Sequence, residues 1–219
     1  ATTIAEIYQD IECYKKGKVT IVEIMGRDAG WLTAGTKLAS LSNNGPDLIY
    51  LPEVPFDIES FLKKVKHIYD KKGHALIAIS EGIKDKEGKY ILTYRLFNNN
   101  DDFGHLQLGG VGQVIAETIN RELKLPIRSI ELNIPQRCAS HISSLTDIEE
   151  AYNCGKKALQ FATLNHTGKM IAIKRISHNP YQITYEMVDL ANVANFVKKV
   201  PQNYITNDGC NITKDFIEY

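Results

Sequence analysis

The chain has 219 residues, of which 43% are hydrophobic and 24% charged, and its 26 basic and 26 acidic residues give a formal net charge of zero. This is the composition of a globular protein, without the overall charge that would attract nucleic acid or an anionic membrane. No apolar run has the length of a membrane span, and the four cysteines form neither a CxxC pair nor a disulfide framework. We therefore expect a cytoplasmic protein that binds neither nucleic acid nor membrane.

Helix and strand patterns alternate through the first part of the chain. Residues 2–15 carry apolar side chains at helical spacing, and Gly17 follows them. The run VTIVEIM (19–25) is rich in β-branched apolar residues, which is typical of a buried strand. The next four elements are predicted as a helix, a strand, a helix and a strand, at 30–42, 47–51, 57–71 and 75–80. Asp57 and Gly73 are the predicted caps of the third helix.

The second part of the chain begins with a polar excursion at 83–105, in which we predict a short strand over 90–96. The patterns then predict a helix, a strand, a helix and a β-hairpin, at 111–123, 127–134, 147–164 and 169–188. Thr146 is the expected cap of the long helix, with Glu149 completing a capping box. The acidic residues at the start of this helix suit its dipole and do not indicate a metal site.

Strands that read as continuous apolar runs and alternate with helices are typical of a parallel sheet covered on both faces. We therefore predict an α/β fold of three layers, with helices on both faces of a parallel sheet. The expected core spans 17–165, and residues 166–219 form a hairpin and a tail that pack back on it.

Charged residues follow several of the predicted strands. Gly26 and Arg27 follow the strand 19–25, Glu81 follows 75–80, and Arg137 follows 127–134. Ligands of open parallel sheets bind at this carboxyl edge, and guanidinium groups with a carboxylate suit a phosphorylated sugar. Arg128 lies within the last strand. When Arg128 or Glu81 is considered alone, the alternative to a ligand-binding role is an Arg–Glu ion pair on the surface.

Glycines at 109, 110 and 112 precede a predicted helix. They do not match the GxGxxG pattern of dinucleotide-binding loops, and no clear strand precedes them. A tight helix entry is therefore the preferred interpretation.

The segment VTIVEIMGRDAGWLTAGT (19–36) resembles a segment of the phosphofructokinase family, in which a strand leads through Met-Gly-Arg into a helix. Four further segments resemble that family in the same order: DLIYLPEVPFD (47–57), ALIAISEG (75–82), FGHLQLGGVG (103–112) and IRSIELNIPQRCAS (127–140). The resemblance covers nearly the whole chain. It implies a phosphofructokinase-like fold, of which this is a partial chain, and a part in converting fructose 6-phosphate to fructose 1,6-bisphosphate.

The resemblance implies seven substrate-binding residues: Lys18, Met25, Gly26, Arg27, Glu81, Arg128 and Arg137. Met25, Gly26 and Arg27 would hold fructose 6-phosphate, with the backbone of Met25 and Gly26 against the sugar. Glu81 would bind a sugar hydroxyl. Arg128 and Arg137 would bind the 6-phosphate, one of them reaching across from a neighbouring subunit. Lys18 stands where ATP-dependent members have another cross-subunit arginine.

Two departures from the ATP-dependent members indicate the pyrophosphate-dependent branch. Ile134 replaces a phosphate-binding histidine, and Cys138-Ala139 replaces a Gly-Gly pair. The segment 175–201 also resembles that branch. Pyrophosphate is therefore the expected phosphoryl donor, with ATP as the alternative.

The family's N-terminal half carries a Gly-Gly-Asp segment for the donor and Mg²⁺, and a second segment with the catalytic aspartate. Neither occurs in this chain, which starts at Ala1 without Met. We therefore expect a piece of a longer enzyme that is inactive by itself, holds no catalytic residue or metal ligand, and depends on Mg²⁺ bound through the other half. The parent enzyme is expected to be a homo-oligomer, a dimer or tetramer. The alternatives are a non-catalytic sugar-phosphate-binding or regulatory module and a generic nucleotide binder.

Overall fold

The computed structural model describes residues 1–94 and 110–219. Its α-helices are α1 (Thr2–Glu12), α2 (Trp31–Gly35), α3 (Ile58–Lys72), α4 (Val111–Leu123), α5 (Pro135–Cys138), α6 (Leu145–Thr163) and α7 (Lys214–Glu218). Its strands are β1 (Val19–Ile24), β2 (Leu48–Tyr50), β3 (Ala75–Ser80), β4 (Ile127–Glu131), β5 (Lys169–Ser177) and β6 (Gln182–Asp189). The chain forms two compact units, which are residues 1–137 with 199–218, and residues 138–198 with Tyr219.

A four-stranded sheet forms the centre of the first unit. Its order is β2-β3-β1-β4, and each pair of neighbours is parallel. All residues of β1, β2 and β3 are buried, which agrees with their continuous apolar sequences. The order places β1 between β3 and β4, so the loops that follow these three strands meet at one edge.

Helices cover both faces of this sheet. On one face, α3 and α4 bury Phe61, Val65, Ile115 and other apolar residues against β1, β2 and β3. On the opposite face, α1 and the segment after β1 bury Ile4, Ile11 and Ala34. The predicted three-layer α/β fold is thus confirmed.

Helix α3 starts and ends where the sequence predicted. The carboxylate of Asp57 accepts hydrogen bonds from the backbone N–H groups of Glu59 and Ser60, both at 3.1 Å. Gly73 follows the helix with a φ of 79°, which is the left-handed conformation that suits a glycine.

The predicted helix 30–42 is regular only in its first turn. It continues as a 3-10 helix over Thr36–Ser42. The hydroxyls of Thr36 and Ser42 donate to the carbonyls of Thr33 and Ala39. Such side-chain bonds compete with the α-helical pattern, which explains the difference.

The other differences are local. Ile91–Tyr94 is a 3-10 helix rather than part of a strand, and residues 95 and 96 of that prediction lie outside the described residues. Strand β4 ends at Glu131 rather than at 134, because Asn133 has a φ of 40° and turns the chain. Ser144, not Thr146, caps α6, and its hydroxyl accepts from the N–H of Asp147.

The two units are divided differently from the predicted core of 17–165. Helix α1 supplies core residues and so belongs to the first unit, whereas α6 groups with the β5–β6 hairpin in the second. The tail 199–218 belongs to the first unit and contributes four buried residues to it: Val200, Ile205, Ile212 and Phe216. Within the described residues, no helix has the length and apolarity needed to cross a membrane.

Candidate functional site

The carboxyl ends of β1 and β3 form the centre of the candidate site. Ile24 pairs with Ser80 at the end of the two strands, so Met25 and Glu81 are the next residues on each. The N–H of Glu81 donates to the carbonyl of Ile24 at 3.0 Å, and the N–H of Gly26 donates to Glu81 Oε1 at 3.1 Å. The carboxylate is therefore fixed against the backbone that follows β1, and its second oxygen can accept a further hydrogen bond.

Gly26 occupies a position that a side chain could not share. Its φ is 151°, and a Cβ there would lie 2.7 Å from the carbonyl oxygen of Ala29 and 2.9 Å from Ser80 Oγ. The Ser80 hydroxyl also donates to the Gly26 carbonyl. The loop can make this close turn only because residue 26 is glycine.

Arg27 is held by the backbone that follows β3. A Cβ on Gly82 would lie 1.8 Å from the Arg27 carbonyl oxygen, so the two backbone segments are in direct contact. The Nε atom of Arg27 is buried and has no hydrogen-bond partner among the described residues. A buried, unpartnered guanidinium donor is unfavourable unless a ligand completes it. This position is therefore suited to an anionic group.

The segment after β4 reaches the same edge through Gln136. Its side-chain oxygen accepts from the N–H of Met25 at 3.2 Å, and its Nε2 donates to the carbonyl of Asn133 at 3.0 Å. Arg137 is the next residue, in the short helix α5, and its side chain is exposed. The predicted grouping of residues from three strand ends at one edge is thus present, with Gln136 as the residue that connects them.

Arg128 and Lys18 lie at the opposite edge of the sheet. Arg128 is in register with Thr20 near the start of β1, and Lys18 immediately precedes that strand. Met25 is five positions after Thr20, which corresponds to about 16 Å at the usual rise of a strand. Within one copy of the chain, these two cations are therefore separated from the group formed by Arg27 and Glu81, and Arg128 is directed to Asp10 instead.

Lys18 and Arg128 share a surface pocket with α1 that includes Asp10, Tyr14 and Lys16. Arg128 Nη1 lies 2.7 Å from Asp10 Oδ2, and both side chains are substantially exposed. The carboxylate gives the guanidinium a partner in the isolated chain. An exposed pair of this kind is weak, so an incoming phosphate can compete for Arg128.

Glu23 is a feature that the sequence reasoning missed. It is 4% exposed within β1, and its carboxylate accepts from the N–H groups of Gly110 at 3.0 Å and Gly112 at 2.8 Å. Burial raises the pKa of Glu23 to about 7, and Glu131 acts in the same direction, whereas the Gly112 and Gly110 N–H groups oppose the shift. A charged residue within an otherwise buried strand was the signal, because such residues are rarely buried without partners.

The contacts of Glu23 also explain the glycines before α4. Gly110 and Gly112 direct their N–H groups at an internal carboxylate, which occupies the place that a nucleotide phosphate would need. The segment is a tight helix entry, as predicted, and gives no support to the generic nucleotide binder. Gly109 lies outside the described residues.

Glu53, in the Pro-Glu-Val turn after β2, is a second residue whose role was not foreseen. Its Oε1 accepts two backbone hydrogen bonds at 2.9 Å, one from Gly30 and one from Val200. Gly30 ends the loop that contains Arg27. Glu53 therefore connects this loop to the tail of the first unit.

A family model described as phosphofructokinase matches residues 1–162. The chain belongs to the phosphofructokinase family. The resemblance inferred from the five segments is thereby confirmed, and Met25–Arg27, Glu81 and Arg137 all lie within the matched region.

The relatives and solved structures most similar to the chain include pyrophosphate-dependent members of the family. A pyrophosphate–fructose 6-phosphate 1-phosphotransferase of Halomonas elongata is 37% identical, over 100% of this chain and 52% of the relative. Crystal structures of pyrophosphate-dependent phosphofructokinases from Nitrosospira multiformis and Marinobacter aquaeolei are 36% and 32% identical. Each of these structures aligns with 100% of this chain over 51% of its own length, with a TM-score of 0.83. The chain thus spans about half the length of these proteins.

Proposed function

We propose that the chain is the substrate-binding part of a pyrophosphate-dependent 6-phosphofructokinase, which transfers a phosphoryl group to the 1-hydroxyl of fructose 6-phosphate. The observation that carries the proposal is the edge where the backbone of Arg27 and the carboxylate of Glu81 are fixed, together with the buried Nε of Arg27, which has no hydrogen-bond partner among the described residues. The similarity to pyrophosphate-dependent relatives supports pyrophosphate as the donor.

Each residue of the carboxyl edge has a proposed role in holding the sugar phosphate. The backbone of Met25 and Gly26 forms the surface beneath the sugar, because both N–H groups are already bonded to side chains. Glu81 accepts a hydrogen bond from a sugar hydroxyl with its free oxygen. Arg27 neutralises phosphate charge, and Arg137 binds the 6-phosphate as a two-pronged donor.

We propose a role in the site of a different copy of the chain for Arg128 and Lys18, which lie at the edge of the sheet where the strands begin. Along the strands, Arg128 is about 16 Å and Lys18 about 23 Å from Met25, so both lie far from the carboxyl-edge residues of their own copy. We assign them to the site of a neighbouring subunit, where they would meet the 6-phosphate. The active protein is then a homo-oligomer.

The donor and the general base are proposed to come from the part of the family polypeptide that this chain does not span. Mg²⁺ would enter with the donor phosphates and lower the barrier by neutralising their charge. Among residues 1–94 and 110–219, no cluster of three His, Cys, Asp or Glu side chains could hold a metal. This chain's residues position the acceptor, and by itself the chain is expected to be inactive.

Calorimetric titration with fructose 6-phosphate tests the substrate site. Arg27→Ala and Arg137→Ala should each weaken binding by on the order of 2 kcal/mol, which is about 30-fold. Arg121→Ala is the matched control, because Arg121 is exposed on α4 and pairs with its neighbour Glu122. If the Arg27 and Arg121 variants bind fructose 6-phosphate with equal affinity and both remain folded, the proposed site is contradicted.

Mixed subunits of the full-length protein test the shared site. Arg27→Ala and Arg128→Ala should each abolish pyrophosphate-dependent formation of fructose 1,6-bisphosphate. Mixing the two should restore about a quarter of the wild-type rate, because one site in each mixed dimer contains both arginines. No restoration, with exchange of subunits demonstrated, would place Arg128 outside the neighbour's site. Binding without any turnover in the wild-type protein would instead favour the non-catalytic module.

A further inference from the structure

The loop that follows β1 is held by other segments at alternate residues. The N–H of Gly26 donates to Glu81 Oε1 at 3.1 Å, and the N–H of Gly30 donates to Glu53 Oε1 at 2.9 Å. Asp28 lies halfway between these two glycines and is held through its side chain. At this middle position the loop supplies a carboxylate as the acceptor, so the anchoring segment has to supply the donors.

Two side chains from the segment after β3 contact the Asp28 carboxylate. Asp28 Oδ1 accepts a hydrogen bond from the hydroxyl of Tyr90 at 3.3 Å and lies 3.7 Å from Lys84 Nζ. Lys84 Nζ also lies 4.5 Å from the centre of the Tyr90 ring, an attractive arrangement of a cation with an aromatic face. Each of the three side chains therefore contacts the other two, and we call them the Asp28 cluster.

The turn that carries Lys84 and Tyr90 is itself fixed to the core of the first unit. These two residues pair as an antiparallel bridge, and the N–H of Ile91 donates to the carbonyl of Ile83 at 3.1 Å. The N–H of Phe56 donates to the carbonyl of Lys84 at 2.7 Å, and the Ile83 side chain is fully buried. The donors to Asp28 are therefore presented by an ordered element, which can hold the loop in one position.

The charge of Asp28 is unfavourable for an anion-binding site unless a cation compensates it. Asp28 directly follows Arg27, whose buried Nε has no hydrogen-bond partner among the described residues. A carboxylate without a partner at this position would repel a phosphorylated ligand and compete with it for the guanidinium. The ammonium group of Lys84 compensates that charge and draws the carboxylate to the segment after β3.

We propose that Lys84 and Tyr90 are positioning residues for the sugar phosphate, because they hold and neutralise Asp28 and so leave Arg27 for the anionic group of the substrate. Neither residue touches the substrate in this arrangement. Both act on substrate affinity through the loop that contains Arg27. The inference rests on the proposed function of the carboxyl edge, and it adds two residues to those that determine how tightly that edge binds.

Direct binding of the substrate phosphate by Lys84 is the competing role. The contacts of Lys84 favour positioning, because its Nζ already lies against the Asp28 carboxylate and over the Tyr90 ring. The two roles differ in what removal of the Asp28 charge does. If Lys84 only neutralises Asp28, it becomes dispensable once residue 28 is uncharged. If Lys84 binds the phosphate, its loss weakens binding whatever residue 28 is.

Steady-state kinetics of the full-length protein distinguishes these roles. Lys84→Ala should raise the KM for fructose 6-phosphate about 5-fold, the scale of one partly exposed ion pair, and leave kcat within about 2-fold. Asp28→Asn should not raise the KM, and Lys84→Ala combined with Asp28→Asn should return it to within about 2-fold of the wild-type value. Lys86→Ala is the matched control and should leave the KM unchanged, because Lys86 lies on the same turn but pairs with Asp57.

An unchanged KM in Lys84→Ala, or a raised KM that persists in the double variant, would overturn the positioning role. Tyr90→Phe keeps the ring and removes only the hydroxyl, so it provides the same test if Lys84→Ala does not fold. It should raise the KM about 2-fold in the wild-type background and not at all with Asp28→Asn. The proposed function is separated by Arg27→Ala. If that variant binds fructose 6-phosphate normally, the site itself fails, whereas weak binding by Arg27→Ala with a normal KM in Lys84→Ala rejects the positioning role alone.

Discussion

The two units of the chain have similar kinds of secondary structure but very different interiors. In the first unit, β1 and β3 are completely buried and helices cover both faces of the sheet. In the second, a helix of 19 residues and a hairpin form with none of the residues 138–198 buried. Regular hydrogen bonding therefore indicates little about where stability is located, because packing supplies most of it.

This difference explains the location of the candidate site. Arg27 and Glu81 follow strands whose ends are fixed by burial and by parallel pairing. Ligand binding at these residues costs little conformational entropy, because the residues are already ordered. The second unit presents exposed apolar side chains, such as Leu145 and Tyr152, rather than fixed polar groups.

The largest expected contrast between the units involves two phenylalanines on helices. Phe61 is fully buried on α3, whereas Phe161 on α6 is only partly covered. Phe61→Ala should lower the free energy of unfolding by about 3–5 kcal/mol, through lost transfer energy and a cavity. Phe161→Ala should lower it by less than about 1 kcal/mol. Urea unfolding followed by circular dichroism measures both, and similar losses would break the distinction between the units.

A pH-dependent contrast follows from Glu23. Its raised pKa means that the folded state holds a proton that the unfolded state releases above its ordinary pKa. The contribution is fully present below about pH 4.5 and is lost as the pH rises through about 7, by on the order of 3 kcal/mol. Glu23→Gln should remove this loss, whereas Glu149→Gln in the second unit should leave it unchanged. Unfolding at several pH values tests this, and a Glu23→Gln profile like that of the wild type would contradict it.

Two glycines should respond with opposite signs. Gly82→Ala places a methyl group against the Arg27 carbonyl, so the backbone must move, and we expect a loss of about 2 kcal/mol. Gly155 on α6 has free space for a methyl group, so Gly155→Ala should stabilise the helix by about 0.5–1 kcal/mol. Thermal unfolding and circular dichroism give both values. Stabilisation by Gly82→Ala would show that the contact with Arg27 is not close.

The smallest contrast concerns the helix caps. Asp57→Ala removes two hydrogen bonds at the start of α3 and should lower the melting temperature by about 3 °C. Ser144→Ala should lower the helical signal of α6 without moving the main transition, because α6 adds little to the interior. Differential scanning calorimetry with far-ultraviolet circular dichroism separates the two effects. An equal shift of the main transition by both variants would show that the units unfold together.

Much of the fold could be predicted because the decisive patterns are local. The apolar runs of β1 and β3 predicted buried parallel strands, and Asp57 and Gly73 marked the ends of α3. The grouping of the 25–27 loop with Glu81 also followed, because parallel strands end at the same edge.

Other features depended on neighbours that are distant in the sequence. No pattern near Glu23 indicates that the N–H groups of Gly110 and Gly112 will meet its carboxylate across the layers of the fold. The cap of α6 was assigned to Thr146 instead of Ser144, since both residues have suitable side chains and only the backbone geometry distinguishes them.

The sequence by itself determined the α/β class, the parallel strands and the family, because hydrophobic spacing and short motifs are properties of contiguous residues. Only the tertiary structure decided the order β2-β3-β1-β4, and with it the placement of Arg27 and Glu81 at one edge and of Lys18 and Arg128 at the other. It also decided that residues 138–198 remain uncovered. Strand order and burial are set by contacts between segments far apart in the chain, and no local pattern specifies which segments will meet.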